Sequence, residues 1–279
     1  MQAARAVEAG EYNTDLLAEI FARPDEMGQL ARVFDSMASN VSVRDRQLKL
    51  LSIVIPTGVA LSAEKNFDRL LETVVVESQK LTRADGGTLY LLEKDALKFV
   101  ILRNTSLAIK MGGTAAPITF DPIPLTNADG TPNQANVASH VALTHKRINI
   151  ADAYEAEGFD FSGTKAFDTR TSYRSQSFLT IPLEGEEKKL IGVLQLINAQ
   201  DNAGHIVPFV ADDVLEALVL LASAALDGYI RQEALRQEIA KLRIEIDQSR
   251  REKQVAEITD SQYFKSLQDQ AKQMRQGNK

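Results

Sequence analysis

The sequence predicts an α+β domain, with an antiparallel β-sheet and helices on one face, flanked by long N- and C-terminal coiled-coil helices. Apolar residues spaced three and four apart run through both ends of the chain, as in helices with one apolar seam. Between the ends, amphipathic helical segments alternate with pairs of strand-like runs joined by short polar turns. Such hairpins form antiparallel sheets, and helices gathered on one face leave the other face free to hold a ligand.

The first seam occupies the N-terminal part of the chain, which we assign to residues 1–56. Its apolar members are Met27, Leu30, Phe34, Met37, Val41, Leu48, Leu51 and Ile55, and Arg44 is the single interruption. Long polar faces beside the seam favour pairing with a partner helix over packing on the chain's own domain. Pro56 is expected to end this helix, because proline lacks the N–H that the helical ladder needs.

The middle zone, residues 57–230, is predicted to form the domain itself. "AEKNFDRLLETVVVESQKLTRA" has the apolar spacing of an amphipathic helix, and "DGGTLYLLEKDALKFVILRN" reads as a strand, a tight turn and a strand. "SFLTIPLEGEEKKLIGVLQLINAQ" is a second hairpin, with Gly185 in its turn, and "DDVLEALVLLASAALDGYI" is an apolar closing helix. Residues 231–279 continue as a coiled-coil helix with a frayed tail, whose seam residues are Leu235, Ile239, Leu242 and Ile246.

Composition excludes several classes of function. The 279 residues include no cysteine, so disulfides, thiolate metal sites and cysteine nucleophiles are ruled out. The net charge of −6 argues against a nucleic-acid partner, because phosphate-backbone binding needs clustered Lys and Arg. No apolar run reaches the roughly 20 residues of a membrane span, and the N-terminus lacks a signal-peptide core. We therefore expect a cytoplasmic chain without a membrane segment.

The stretch "FDFSGTKAFDTRTSYRSQSFL", residues 159–179, is the densest polar cluster, and we call it the lid segment. Short helices opening near Ser162 and near Thr169 would present backbone N–H groups to an anion. Ligand contact by the Thr171 or Ser175 hydroxyl and plain helix capping are equally good explanations of these residues. Aromatic side chains such as Phe161 suit stacking on a flat ring, although aromatics at this spacing more often close a small core.

Gln195 interrupts the apolar strand "GVLQLIN". A buried amide without a hydrogen-bond partner costs about 1–3 kcal/mol, so either a ligand or a neighbouring side chain has to supply one.

Catalysis is a further interpretation of the polar residues in this part of the chain. Three aspartates and three histidines are the candidates for acid–base or metal chemistry: Asp152, Asp160, Asp168, His140, His145 and His205. None has the dense spacing of a zinc or two-metal site, and the sequence holds neither a phosphate-cradling glycine loop nor a nucleophile elbow. We therefore predict a chain that is not an enzyme and needs no cofactor. Lys165, Arg170 and Arg174 are expected to form a solvated network with nearby aspartates.

The N-terminal stretch "GEY…RPDEMGQLARVFDSM" resembles the second half of a HAMP signal-relay module. In such modules the Asp-Glu-apolar-Gly-x-Leu motif opens the second helix of a parallel four-helix bundle. The resemblance implies a relay function and a parent protein anchored in a membrane.

The middle zone resembles a GAF domain of the cyclic-nucleotide phosphodiesterase and bacterial adenylate-cyclase type. The resemblance rests on "ADGGTLYLLEKD", "NVASHVALTHKRINIADAY", "TRTSYRSQSFLTIPL", "LIGVLQLINAQ" and "PFVADDVLEAL". It implies a small-molecule sensor, usually dimeric, with a pocket between the sheet and the lid segment. Together with the aromatic Phe161, the residues it places at a ligand are Thr88, Val137, Ala138, Thr171, Ser175 and Gln195, where Gln195 stands in for the family's acid.

The resemblance also bears on a family signature of Asn-Lys, Phe and Asp-Glu. The chain keeps Asn198, Phe209 and Asp213, but it has Ala199 in place of the lysine and Val214 in place of the glutamate. The usual lysine–aspartate bridge is therefore absent, and the remnant is interpreted as structural.

Two functional hypotheses follow. The first is a regulatory module that binds a small molecule, with a cyclic nucleotide as the best guess, and passes its state through dimeric helices to a cyclase, phosphodiesterase or kinase output partner. The alternative is a ligand-free dimerisation and relay module whose pocket is collapsed or filled by side chains.

Overall fold

The computed structural model describes residue 20 and residues 22–210, 213–260, 266–267 and 270–271. The helices are α1 (Glu26–Lys49), α2 (Ile55–Ala63), α3 (Phe67–Thr82), α4 (Val137–Thr144), α5 (Ser162–Thr171) and α6 (Asp213–Asp260). The strands are β1 (Ala84–Glu93), β2 (Ala96–Asn104), β3 (Ile109–Gly112), β4 (Ile123–Pro124), β5 (Ile148–Ile150), β6 (Phe178–Glu184), β7 (Leu190–Gln200) and β8 (Ile206–Val207). The chain divides into two units that meet between Asp227 and Gly228.

A single antiparallel sheet forms the centre of the first unit, which confirms the predicted α+β class. Its strand order is β3-β2-β1-β7-β6-β5, with β4 added beside β2 and β8 beside β7. Both predicted hairpins are present, namely β1 with β2 and β6 with β7. Gly185 lies in the second turn, which continues into one turn of 3-10 helix at Glu186–Lys188.

The two faces of the sheet are distinguished by strict alternation along β1. Gly87 faces α3 so closely that a Cβ atom there would lie 2.8 Å from Val75 Cγ1. Leu89, two residues further on, is fully buried. On the opposite face, Tyr90 packs in a cluster with Val141 of α4. The long helix α3 therefore covers one face, as predicted.

The second face is covered in part by two short helices, of which α5 begins at Ser162, where the sequence predicts a helix start. Helix α4 packs on it through Ala138, Val141 and Ala142, and the side chain of Asn136 caps this helix by accepting the Ser139 N–H at 3.1 Å. Helix α5 lies within the lid segment. Because α4 and α5 are only eight and ten residues long, they leave part of this face uncovered.

The expectation that Pro56 ends the N-terminal helix is wrong. Pro56 lies in the first turn of α2, and a π-helical turn at Leu50–Val54 joins α1 to α2. Val54 keeps right-handed helical angles, with φ −69° and ψ −45°, so the chain stays helical through the junction. Proline is tolerated there because the first turn of a helix does not need its N–H.

The bounds of helix α6 include residues of both units. Its first turns bury Val214, Leu215, Leu218, Ala222 and Leu226. The predicted C-terminal seam follows, and its four members Leu235, Ile239, Leu242 and Ile246 are between 46% and 64% exposed. The helix is thus confirmed over residues 231–260, while its pairing in a coiled coil stays a prediction. Most of the predicted frayed tail lies outside the described residues.

Across the described ranges, none of the helices combines the length and the apolar character that a bilayer crossing requires.

Two leucines of α6 allow a matched test of the packing. We expect Leu218→Ala to lower the free energy of unfolding by about 2–5 kcal/mol, because Leu218 is fully buried and its loss leaves a cavity. Leu220→Ala should change it by no more than about 0.5 kcal/mol, because Leu220 is 69% exposed. Urea unfolding of both variants measures the difference, and equal losses would contradict the assigned face of α6.

Candidate functional site

A cavity of about 470 Å³ lies between the second face of the sheet and the helices α4 and α5. Six of the seven predicted site residues line it: Thr88, Val137, Ala138, Phe161, Ser175 and Gln195. Strands β1 and β7 supply its floor, and the lid segment supplies one wall. Residues far apart in the sequence are thus brought to one space, and their contact with a ligand stays a prediction.

A row of polar side chains crosses the floor. In the sheet register, Gln195 on β7 is opposite Thr88 on β1 and opposite Thr180 on β6. Residues directly opposite each other in an antiparallel sheet point to the same face, so all three side chains lie on the cavity side. Tyr90, two residues along β1 from Thr88, joins them on that face.

The partners of Gln195 are protein side chains. The Tyr90 hydroxyl donates to Gln195 Oε1 at 3.2 Å, and Gln195 Nε2 donates to Thr180 Oγ1 at 3.1 Å. Burial raises the pKa of the Tyr90 phenol, so this donor stays protonated. The amide still has one further N–H and one further lone pair, and Gln195 lines the cavity. A ligand on the floor would meet an amide whose orientation is already set.

Aromatic rings form much of the cavity wall. Tyr90 and Phe99 have ring centroids 4.7 Å apart, and Phe99 and Phe120 have centroids 5.6 Å apart. Phe161 lies on another part of the wall, with its ring 5.4 Å from that of Phe178, and is only 6% exposed. The position of Phe161 is therefore compatible with both interpretations, stacking on a ligand and closing a small core, since it packs in a core cluster and also lines the cavity.

Ser175 is held by a buried carboxylate. Asp168, 2% exposed, accepts the Ser175 N–H at 2.7 Å and the Ser175 hydroxyl at 2.8 Å, and it also accepts the Tyr154 hydroxyl at 3.0 Å. Asp168 thus acts as an anchor that ties the end of the lid segment to α5 and to the preceding loop. The Ser175 hydroxyl proton is already donated within the protein, which leaves the oxygen as an acceptor.

Tyr173 forms a second anchor. Its hydroxyl donates to Asp85 Oδ2 at 2.6 Å and accepts from Asn198 Nδ2 at 2.9 Å. Asn198 also donates to the Arg174 carbonyl at 2.7 Å and accepts the Gln176 N–H at 2.7 Å. The signature remnant Asn198 therefore bridges β7 to the lid segment, as its structural interpretation predicted. Tyr173 also lines the cavity, so this anchor is part of the wall.

Thr171 is placed differently from the other predicted residues. It is the last residue of α5, and its hydroxyl donates to the Phe167 carbonyl at 2.9 Å. The expected second helix start near Thr169 is wrong, because one helix runs from Ser162 to Thr171. Its interior i to i−4 hydroxyl bonds, from Thr169 to Lys165 and from Thr171 to Phe167, are compatible with a continuous helix. Thr171 is not among the described residues that line the cavity.

The three cations of the lid segment have three different surroundings. Arg174 pairs with Asp152 at 2.9 Å, and Lys165 lies over the Tyr154 ring at 5.0 Å from its centroid. Arg170 lines the cavity, and among the described residues we find no carboxylate paired with it. The predicted solvated network therefore holds for Arg174, whereas Arg170 presents a charge to the cavity.

The candidate acid–base residues do not gather at one place. His145 bonds to Glu184 and His205 to Asp201, while the ring of His140 packs against Phe159. Within the described ranges, no group of three or more His, Asp or Glu residues is arranged to hold a metal ion.

Several lining residues were missed by the sequence analysis. Tyr90, Phe99, Asn104, Phe120 and Arg170 all lie on the cavity wall. Tyr90 could have been found from the sequence, because residues two apart on a strand point to the same face, and Tyr90 is two residues from Thr88. Phe120 lies in an irregular segment between β3 and β4, where no periodicity indicates the direction of a side chain.

Comparison with known families adds an independent result. The family model of the GAF domain matches residues 66–226, and the family model of the HAMP domain matches residues 1–42. The first match covers the sheet, α4, α5 and the cavity, and the second covers most of α1.

Individual relatives are distant. The cGMP-specific 3',5'-cyclic phosphodiesterases of Drosophila sechellia and Drosophila melanogaster are each 28% identical over 142 residues, which is 48% of this chain and 11% of either enzyme. The chain therefore spans only about a tenth of those proteins.

Among solved structures, the GAF domain of a phosphoenolpyruvate-protein phosphotransferase from Coxiella burnetii is 16% identical, with a TM-score of 0.47, over 68% of this chain and 98% of that one. Free methionine-R-sulfoxide reductase from Neisseria meningitidis is 17% identical, with a TM-score of 0.44, over 70% of this chain and 93% of that one.

The Tyr173 anchor can be tested by its pH dependence. Tyr173→Phe removes the hydroxyl between Asp85 and Asn198, and we expect a loss of about 1–3 kcal/mol in the free energy of unfolding near neutral pH. Burial, with help from the Asp85 hydrogen bond, raises the pKa of Tyr173 above its ordinary value of 10.0.

The unfolded chain therefore ionises Tyr173 first, so the advantage of the wild type is complete below pH 10.0 and declines above it. Denaturant unfolding of both proteins across this range measures the decline. A difference that stays constant or grows above pH 10.0 would contradict the anchor.

Proposed function

Because this chain belongs to the GAF-domain family, we propose that it is a sensory module that binds a small molecule, best fitted by a cyclic nucleotide, and relays the bound state through its helices. GAF and HAMP domains are regulatory rather than catalytic. The matched region includes every element that lines the cavity. The proposed function therefore resides in binding and conformational relay.

The observation that carries the proposal is the cavity itself. Its volume of about 470 Å³ lies within the range of about 300–1,000 Å³ that small-molecule sites occupy. Seven of its 25 lining residues are aromatic, and its floor offers the oriented amide of Gln195 beside the Thr88 hydroxyl. Aromatic rings suit the faces of a planar base, and hydroxyl and amide groups suit its polar edge.

Arg170 is the group at the cavity that supports an anionic ligand. It lines the wall, and guanidinium groups favour phosphate. The start of α5 already has a carboxylate, because Asp160 accepts the Ser162 N–H at 2.8 Å. Asp121 and Asp160 also line the cavity, and they would favour the sugar hydroxyls of the same ligand over a second phosphate.

The choice of a cyclic nucleotide draws on the relatives as well. The fly enzymes that match this chain are named as cGMP-specific phosphodiesterases, and the match covers about half of this chain. We take from this only the preference for testing cyclic GMP first and cyclic AMP second.

The helical ends support the relay. The seam residues Leu30, Met37 and Leu48 on α1 are between 62% and 63% exposed, which is costly unless a partner helix covers them. We propose that they pair with the same seam of a second copy, as the HAMP match favours. The output partner would be a cyclase, phosphodiesterase or kinase, and the module would act on the cytoplasmic side of a membrane-anchored parent.

One observation favours the alternative of a ligand-free relay module. The polar groups of Gln195, Ser175 and Thr171 all have partners inside the protein, so none of them requires a ligand for its stability. In that case the domain would dimerise and transmit a helix displacement without a bound molecule. The open cavity supports the sensory proposal over this one.

Calorimetric titration tests the ligand. We expect cyclic GMP or cyclic AMP to release heat on binding and to raise the melting temperature further as the nucleotide concentration rises. Absence of both effects at millimolar nucleotide would reject the cyclic nucleotide and favour the alternative.

A matched pair of charge variants then locates the phosphate. Arg170→Gln should weaken binding about three- to tenfold, because it removes a partly solvated ion pair with the phosphate. Lys165→Gln removes the same charge from the same helix at a residue that contacts Tyr154, and binding should stay unchanged. Equal weakening by both variants would reject the role of Arg170.

The proposed dimer has its own test. Met37→Glu places a charge in the α1 seam. It should raise the dimer dissociation constant, measured by sedimentation velocity, by about tenfold or more. Val43→Glu is the control, because Val43 is on the same helix and 52% exposed but lies outside the seam spacing. A dimer that resists Met37→Glu as well as Val43→Glu would show that the seam does not form the interface.

A further inference from the structure

The junction between α1 and α2 is an unusual piece of helix. Residues Leu50–Val54 form a π-helical turn, with α-helix directly before it and after it. A π turn takes up one residue more than an α turn, and such turns are found mostly where a helix has a functional irregularity. None of the functions described above makes use of it.

Pro56 explains why the turn is widened. In a continuous α-helix, the Ser52 carbonyl would accept the N–H of residue 56, but proline has no N–H and its ring collides with that carbonyl. A wider turn moves the carbonyl away from the ring. The Ser52 hydroxyl in this turn donates to the carbonyl of Leu48, at the end of α1.

The sequence pattern opposes this geometry. The seam spacing alternates between three and four without a break from Leu48 through Leu51 to Ile55, so the apolar stripe is continuous only if this segment is α-helical. One extra residue in the turn rotates everything before it by about 100° and shifts it by about 1.5 Å relative to α2. Pro56 thus favours the π form, while a continuous seam favours the α form.

The α2 side of the junction is fixed to the domain. Val54 is 3% exposed and Leu61 is 1% exposed. Gly58 lies so close to α6 that a Cβ atom there would be 2.6 Å from Leu221 Cδ1. Any rotation at the junction therefore has to appear on the α1 side, where Leu48 is 63% exposed.

We propose that Leu50–Val54 is a phase-changing joint, which switches between π and α forms and so sets the rotational position of the α1 seam relative to the domain. In the α form, the seam continues onto α2 as one stripe. In the π form, the α1 part of the stripe is turned by about 100°. The joint is a property of this helix and does not depend on the cavity binding a ligand.

The absence of cysteine makes the joint directly measurable by spin labelling. Asp45 and Gln47 are exposed residues of α1 that point about 200° apart around the helix. Each is changed to Cys in turn, together with one exposed reference position on the domain, either Lys98 or Lys146. Distances are measured by double electron–electron resonance in the wild-type background and in Pro56→Ala, diluted with unlabelled protein so that only distances within one chain contribute.

Pro56→Ala frees the α form, and the exposed Pro56 side chain leaves no void when it is shortened. A rotation moves opposite sides of a helix in opposite directions, so the Asp45 and Gln47 distances should change with opposite sign, by several ångströms on a helix about 10–12 Å wide. Two reference positions ensure that the rotation is seen from more than one direction.

Two results with Pro56→Ala and one with its control would overturn the joint. The first is that the distances stay the same at both references. The second is that both labels move in the same direction, which would indicate a bend and no change of phase. The matched control is Pro24→Ala, a second exposed proline that precedes α1 and lies outside the joint, and it should leave all distances unchanged. An equal response to Pro24→Ala would also reject the proposal.

Discussion

The pairing of β1 with β7 is the constraint on which the rest of the domain depends. Its register places Thr88 opposite Gln195 and, one residue further, Leu89 opposite Leu194. Because side chains alternate between faces, this single alignment places Leu89 and Leu194 on the face under α3 and Thr88 and Gln195 on the cavity face. The apolar face has to be covered by α3, whereas the polar face supports a row of hydrogen bonds and the cavity. A slip of one residue would exchange the two faces and remove the site.

The lid segment depends on a second kind of interaction, in which buried carboxylates hold backbone and hydroxyl groups in place. Asp168 and Asp85 are each at most 5% exposed, and each accepts several hydrogen bonds from groups that would otherwise be unsatisfied. Their role is to position Ser175 and Tyr173 against the sheet. Asp168 therefore satisfies backbone and hydroxyl groups of the irregular stretch that follows α5.

Features that depend on local periodicity could be predicted from the sequence, and features that depend on how distant segments meet could not. The hairpins and the helix α3 could be predicted because periodicity alone determines them, and five of the six residues that the family resemblance places at a ligand line the cavity. The partners of Gln195 could not be predicted, because they depend on the exact register of β7 with its hairpin partner β6 and with β1, which is distant in sequence. Pro56 was misjudged because a proline in the first turn of a helix and a proline beyond its end look alike in sequence. Thr171 and Arg170 were misplaced relative to the cavity for a similar reason, since the direction of a side chain on a short helix depends on where that helix begins.

Tyr173 is at once part of the cavity wall and the bridge between Asp85 and Asn198. Its ring therefore cannot move away from the cavity unless its hydroxyl leaves Asp85 on β1, Asn198 on β7, or both. The shape of the cavity at this point is thus coupled to the bonds that hold the lid segment against the two central strands.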